Sequence, residues 1–153
     1  MSTASRRHAR IIALQTLYEV DTAQHLAGEV LQRNLDEPVT ENTNPTAPTE
    51  PQIREFARTL VEGVLERTDE LDALIADSAP SWPLDQMARI DKNILRLAIF
   101  EILFDNRVPL KAAINEAVEL GKRFGSDSSS RFINGVLGTV AANQQARGRK
   151  VGK

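Results

Sequence analysis

The residues of this 153-residue chain whose types and spacing could do chemistry are arginines and serines, not nucleophiles or metal ligands. Arg6 and Arg10 stand four apart, so a helix puts them on one face, with Arg7 beside them. Three guanidinium forks on one turn can clamp phosphates through paired hydrogen bonds or stack on bases, which points to a polyanion. A second cluster is K-R-F-G-S-D-S-S-S-R at 122–131. A serine-rich helix start there offers free N–H groups and the positive end of a helix dipole, with Lys122, Arg123 and Arg131 around it. That chemistry favours a phosphate, although an ordinary serine cap after a glycine has the same pattern.

Catalysis lacks its parts. His8 stands in the arginine run and His25 near a helix end, neither with a spaced partner, so both read as surface histidines. Gly121-Lys122 and Gly125-Ser126 are fragments of a phosphate loop without the G-x-x-x-x-G-K-[ST] spacing. The carboxylates fall mostly on expected solvent faces. We therefore expect no enzyme, no cofactor and no metal. With no cysteine in the chain, disulfides and thiolate metal sites are excluded and a reducing compartment is expected. There is no run of 18 apolar residues and no small-residue cleavage site after the basic N-terminus, so the expected location is the cytoplasm, away from any membrane.

The formal net charge of −2 hides a segregation. Before Glu19 there are three bases (Arg6, Arg7, Arg10) and no acid, and after Asp127 there are five (Arg131, Arg147, Arg149, Lys150, Lys153) and no acid. The stretch between holds all 21 acids. Clustered bases of this kind are the electrostatic footprint of a polyanion site.

The elements that must position these residues are helices, since apolar residues recur at helical spacing and nowhere alternate at period two. The spacing predicts a first helix from about Ser5, which is available as its cap, to Gln24, with Ile11, Ile12, Leu14, Leu17 and Tyr18 on its apolar face. A short helix follows around Glu29 to Leu35. Residues 36–51, with four prolines among Thr, Asn and Glu, read as a flexible, disordered loop. A helix over Pro51 to Arg67 carries a stripe from Ile53 to Leu65, and Thr68 is placed to cap a helix with Leu71, Leu74 and Ile75. Pro80, Trp82 and Pro83 break the chain. From Ile90 to Phe104 the pattern is apolar nearly all round, which belongs in the centre of a bundle. The next helix turns Ile114, Ala117, Val118 and Phe124 inward and ends at Gly125 as its C-cap. The last starts within 126–130 and buries Phe132, Ile133, Val136, Leu137 and Val140. The expected organisation is an N-terminal helical subdomain at 1–79, a C-terminal one at 80–143 and a basic tail at 144–153.

Three segments together, R-R-H-A-R-x-x-A-L-Q-x-L-Y at 6–18, I-D-K-N-I-L-R-L-A-I-F-E-I at 90–102 and the run from Val108 to Leu137, are similar to the NusB family of bacterial transcription antitermination factors. The resemblance spans nearly the whole chain outside the proline-rich loop and the tail. It implies an all-α fold of two small bundles packed around the long central helix. It also implies a role: with NusE, a small-subunit ribosomal protein, such a factor binds boxA RNA and helps the RNA polymerase antitermination complex read through ribosomal RNA operons. Carried over by position, Arg6, Arg7 and Arg10, with Lys122, Phe124, Gly125, Ser126, Asp127, Ser128, Ser129, Arg131 and Phe132, are the implied RNA contacts. Tyr18, Asp85 and Asp91 match the NusE-facing side. An acidic middle suits a basic ribosomal protein, and basic ends suit RNA. Two positions depart from the family pattern: Ser128 stands where an acid is common, and His8 where a further arginine can occur.

Two other readings are weighed. NusB-like modules also form the N-terminal part of ribosomal RNA cytosine methyltransferases, but a cofactor-binding G-x-G and a cysteine nucleophile are absent up to Lys153, so that enzyme would need a continuation. A homodimer that covers the NusE or RNA surface is the third.

Overall fold

The computed structural model describes residues 1–23, 25–36, 50–105 and 107–146. Among these there is no strand: the order is α1 (Thr3–Ala23), α2 (Ala27–Asp36), α3 (Pro51–Glu66), α4 (Thr68–Ser78), a 3-10 turn (Leu84–Gln86), α5 (Arg89–Leu103), α6 (Leu110–Phe124) and α7 (Ser129–Ala146). The all-α expectation holds. Asp36 and Pro51, the ends of the expected loop, belong to helices, Glu50 is exposed, and residues 37–49 lie outside the described residues. The last helix runs to Ala146, so only 147–153 of the basic tail remains, also outside them.

The chain divides into two compact units, Met1–Gly63 and Val64–Lys153. The division falls inside α3 instead of at the Pro80–Pro83 break, because α4 packs on α5 and α7.

In the first unit α1 packs on α2. The cap of α1 is Ser2, not Ser5. Ser2 Oγ accepts the Ser5 N–H at 3.0 Å and the Ser2 carbonyl accepts the Arg6 N–H at 3.0 Å, so two first-turn donors are satisfied one turn earlier than expected. Ile11, Ile12, Leu14 and Leu17 are buried as the periodicity requires, whereas Tyr18 lies at the edge of that face and is 39% exposed. Thr16, fully buried, donates to the Ile12 carbonyl at 2.8 Å and accepts from Asn34 Nδ2 at 3.0 Å, joining α1 to α2. At the α1–α2 corner Glu19 accepts hydrogen bonds from Arg33 and, at 2.9 Å, from His25. Those donors, Arg33 foremost, hold its carboxyl down at about 2. Asp36 accepts from Arg54 Nη2 at 3.1 Å and so ties the end of α2 to the start of α3.

In the second unit α5 is central, with ten of its fifteen residues buried, and it packs on α4, α6 and α7. Two of its polar residues are matched within the unit. Arg96 donates to both carboxylate oxygens of Asp72 on α4, at 2.7 and 2.9 Å, and Asn93 donates to the Arg89 carbonyl at 2.8 Å. Thr68 does not cap α4. Its hydroxyl donates back to the Val64 carbonyl at 2.9 Å, satisfying an acceptor at the end of α3, and the N-cap position is Arg67. Leu65, expected inward, is 40% exposed.

The buried face of α6 is Ala113, Ala117, Leu120 and Gly121, while Ile114, Val118 and Phe124 are half-buried. The stripe is rotated from the expected one because Gly121 lets α7 approach closely. A Cβ there would stand 2.8 Å from Ile133 Cδ1 and 3.3 Å from the Ser130 backbone. Residues Ile133, Val136, Leu137 and Val140 of α7 are buried as expected, and Phe132 is half-buried.

Candidate nucleic-acid interface

The arginine-bearing and serine-bearing segments fall in different units. On α1, Arg7 is exposed and Arg6 half-buried. Arg10 is not on the solvent face that the sequence suggested. It is 2% exposed, with its guanidinium 5.7 Å from the centre of the Phe56 ring of α3. The i, i+4 spacing does set Arg6 and Arg10 in line, but α3 covers the second of them. A guanidinium is weakly hydrated and stacks on aromatic faces, so it tolerates that position.

His8 also departs from the surface reading. It is half-buried, its Nε2 is buried with no hydrogen-bond partner, and desolvation lowers its pKa, with Glu50 opposing more weakly. His8 is therefore neutral near pH 7 and adds no positive charge to the start of α1.

In the second unit the α6–α7 turn is built around one hydroxyl. Gly125 is the C-cap of α6 and donates its N–H to the Gly121 carbonyl at 3.0 Å. Its φ of −93° and ψ of −167° are open to any residue, so glycine is required by space and not by a left-handed backbone. A Cβ there would lie 2.5 Å from Ser129 Cβ and 2.8 Å from the Gly121 oxygen. Ser129 is 1% exposed. Its Oγ accepts the Ser126 N–H at 2.8 Å and its own N–H donates to the Ser126 carbonyl at 3.1 Å, closing the turn. The Ser128 carbonyl accepts the Phe132 N–H at 3.1 Å and opens α7. Ser129 thus shapes the turn, and what the turn presents outward is Ser126, Asp127, Ser128 and Arg131.

Lys122 and Arg123 are exposed on the last turn of α6. Lys122 faces Glu119 at 3.2 Å across an exposed i, i+3 pair, an interaction worth roughly 0–1 kcal/mol and readily exchanged for a phosphate. Arg123 sits 5.3 Å from the centre of the half-buried Phe124 ring. Asp127 repels phosphate and can only accept, so it suits the amino group of a base.

Of the expected partner-facing residues, Tyr18 and Asp85 are exposed. Asp91 is not. It is 8% exposed in the first turn of α5, and its Oδ1 is buried without a hydrogen-bond partner. A carboxylate in that position complements the helix dipole.

Sequence reasoning missed Trp82, which it read only as part of a chain break. The ring is 53% exposed, and its centre is 6.1 Å from that of Phe132, tilted by 52°. The available signal was a tryptophan between two prolines, where no helix can form to bury it.

The family model described as NusB family matches residues 7–142. The chain is 50% identical over 147 residues to a transcription antitermination protein NusB of Chloroflexus aggregans, covering 94% of this chain and 91% of that one. It is 52% identical over 139 residues to the protein of the same name from Dehalococcoides mccartyi strain CBDB1, covering 91% of each. Among solved structures, Thermotoga maritima NusB matches with a TM-score of 0.77 at 28% identity over 90% of each chain. A chain in a crystal structure of antitermination factors NusB and NusE with double-stranded RNA matches with a TM-score of 0.78 at 22% identity, covering 93% of this chain and 99% of that one, which is a likeness of fold.

Proposed function

Since the chain belongs to the NusB family, we propose that it is a non-catalytic transcription antitermination factor of the cytoplasm. In this reading it binds boxA-type RNA together with NusE and promotes read-through of ribosomal RNA operons by RNA polymerase. The observation that carries the reading is the α6–α7 turn. Lys122 and Arg123 on the last turn of α6, Ser126 and Ser128 in the turn, and Arg131 on the first turn of α7 are all exposed, and the buried Ser129 closes the turn between them. Arg6 and Arg7 at the start of α1 supply further phosphate contacts. Arg10, Ser129 and Gly125 position the others without touching RNA. Tyr18 and Asp85 are the proposed NusE contacts, whereas Asp91 is buried in the first turn of α5.

The methyltransferase reading is not favoured, because the antitermination proteins matched above are covered over nine-tenths of their length. No described helix is long and apolar enough to cross a membrane.

The test is equilibrium binding of a labelled boxA-type RNA, with and without NusE, at two salt concentrations. We expect tighter binding with NusE and a preference over scrambled RNA that survives higher salt, since the phosphate part of the affinity falls with salt and base readout does not. Equal affinity for the scrambled RNA sinks the reading.

A further inference from the structure

We propose that Trp82 and Phe132 form a stacking platform for one unpaired nucleobase of single-stranded RNA, an inference that rests on the RNA-binding reading above. Bases present flat π-faces that aromatic rings cover without regard to sequence, and a duplex withholds those faces by stacking them on each other. A platform needs an aromatic ring that is exposed, held still and set beside cationic groups that draw in the backbone.

Trp82 meets the first condition. A large apolar side chain left 53% exposed is a cost to the free protein, and no described residue covers its outer surface. It meets the second through its backbone. The Trp82 N–H donates to the Ala79 carbonyl at 3.0 Å, Pro83 fixes the next residue, and the Gln86 N–H donates to the Pro83 carbonyl at 3.0 Å. The ring leans on Phe132 at 6.1 Å, within the range of a favourable aromatic pair. Phe132 is itself pinned, because its N–H is held by the Ser128 carbonyl. The platform is therefore tied at both ends to the segments that carry it.

The third condition comes from sequence adjacency in the same unit. Arg131 is exposed and next to Phe132 on the first turn of α7, where the helix dipole also favours a phosphate. Lys122 and Arg123 lie on the helix that packs against α7. Charge of this sign suits a nucleic acid. A basic protein segment would find little to pair with there beyond Asp127 and Asp85.

Trp82 is the single tryptophan of the chain, so the tryptophan fluorescence of this chain, read as the difference from NusE alone, reports that position. The experiment titrates the full chain, with NusE, against a boxA-type single strand and against its duplex, reading RNA anisotropy and tryptophan emission together. We expect the single strand to quench Trp82 emission at the same concentrations that raise the anisotropy. Trp82→Ala should weaken single-strand binding roughly ten- to a hundredfold, Trp82→Phe should restore most of it, and binding to the duplex should not change. Because the ring is exposed, Trp82→Ala should keep the fold, checked by circular dichroism. RNA binding that leaves Trp82 emission and Trp82→Ala affinity unaltered overturns the platform and leaves the antitermination reading intact. If neither RNA binds, both fall. A Trp82→Ala loss confined to NusE affinity overturns the platform in favour of a protein contact.

Discussion

Replacing Gly125 with alanine tests the account of the α6–α7 turn most directly. The backbone at 125 allows any residue, so the added methyl acts through sterics alone: it meets Ser129 Cβ at 2.5 Å and the Gly121 oxygen at 2.8 Å. Neither neighbour can yield freely, since Ser129 is buried and the Gly121 oxygen is a helix carbonyl holding the Gly125 N–H. Overpacking of this kind costs about 1–3 kcal/mol. Displacing Ser129 Oγ from the Ser126 N–H adds about 1 kcal/mol. The alanine returns about 0.4–1 kcal/mol by restricting the unfolded chain. The net destabilisation is about 2 kcal/mol, and with a urea slope of about 2 kcal/mol per molar the midpoint falls by about 1 M. Trp82 emission follows this transition locally, because its ring rests on Phe132 of α7. Gly125→Ala combined with Ser129→Gly should be less destabilised than the two single changes added together, since the second removes the Ser129 side-chain atoms the first collides with and leaves only the Gly121 oxygen. An unchanged midpoint for Gly125→Ala, or strict additivity in the double variant, would refute the steric account and return the position to the category of ordinary caps.

Arg7→Ala and Arg10→Ala should separate function from stability. The first should weaken RNA binding several-fold and lower the salt slope by about 1 at a stability cost below about 1 kcal/mol, since Arg7 is exposed, whereas the second should cost about 1–3 kcal/mol of stability through lost packing and cation–π contact, read by urea unfolding. Asp72→Asn leaves the Arg96 guanidinium, 11% exposed, without its carboxylate, and should cost about 2–4 kcal/mol in the same assay, more than Lys122→Ala, whose Glu119 partner is exposed. Glu19 has its carboxyl lowered from 4.5 to about 2, so its contribution is complete above about 4.5 and is lost as the pH falls through about 2. Helix content followed by circular dichroism across that window should fall less steeply in Glu19→Gln than in the parent chain.

The sequence by itself determined the helices, their order and the all-round burial of α5, because an apolar face at period 3.6 is a local property that any packing of these helices must bury. It also marked out the arginines of α1 and the serine-rich turn, since charge and cap chemistry are legible one residue at a time. It could not determine which residues at the edge of a face are covered, because the cover arrives from another helix. Arg6 and Arg10 have the same spacing-based claim to solvent, and Phe56, 46 residues beyond Arg10 in the chain, puts only Arg10 out of reach. Ser126, Ser128 and Ser129 are chemically alike, and the close approach of α7 to Gly121 and Gly125 buries Ser129 alone of the three. Trp82 became part of the candidate site only when the turn of the chain set it on Phe132, 50 residues away. Periodicity reads one helix at a time, whereas exposure at a boundary position is a relation between two, and only the tertiary structure supplies the second.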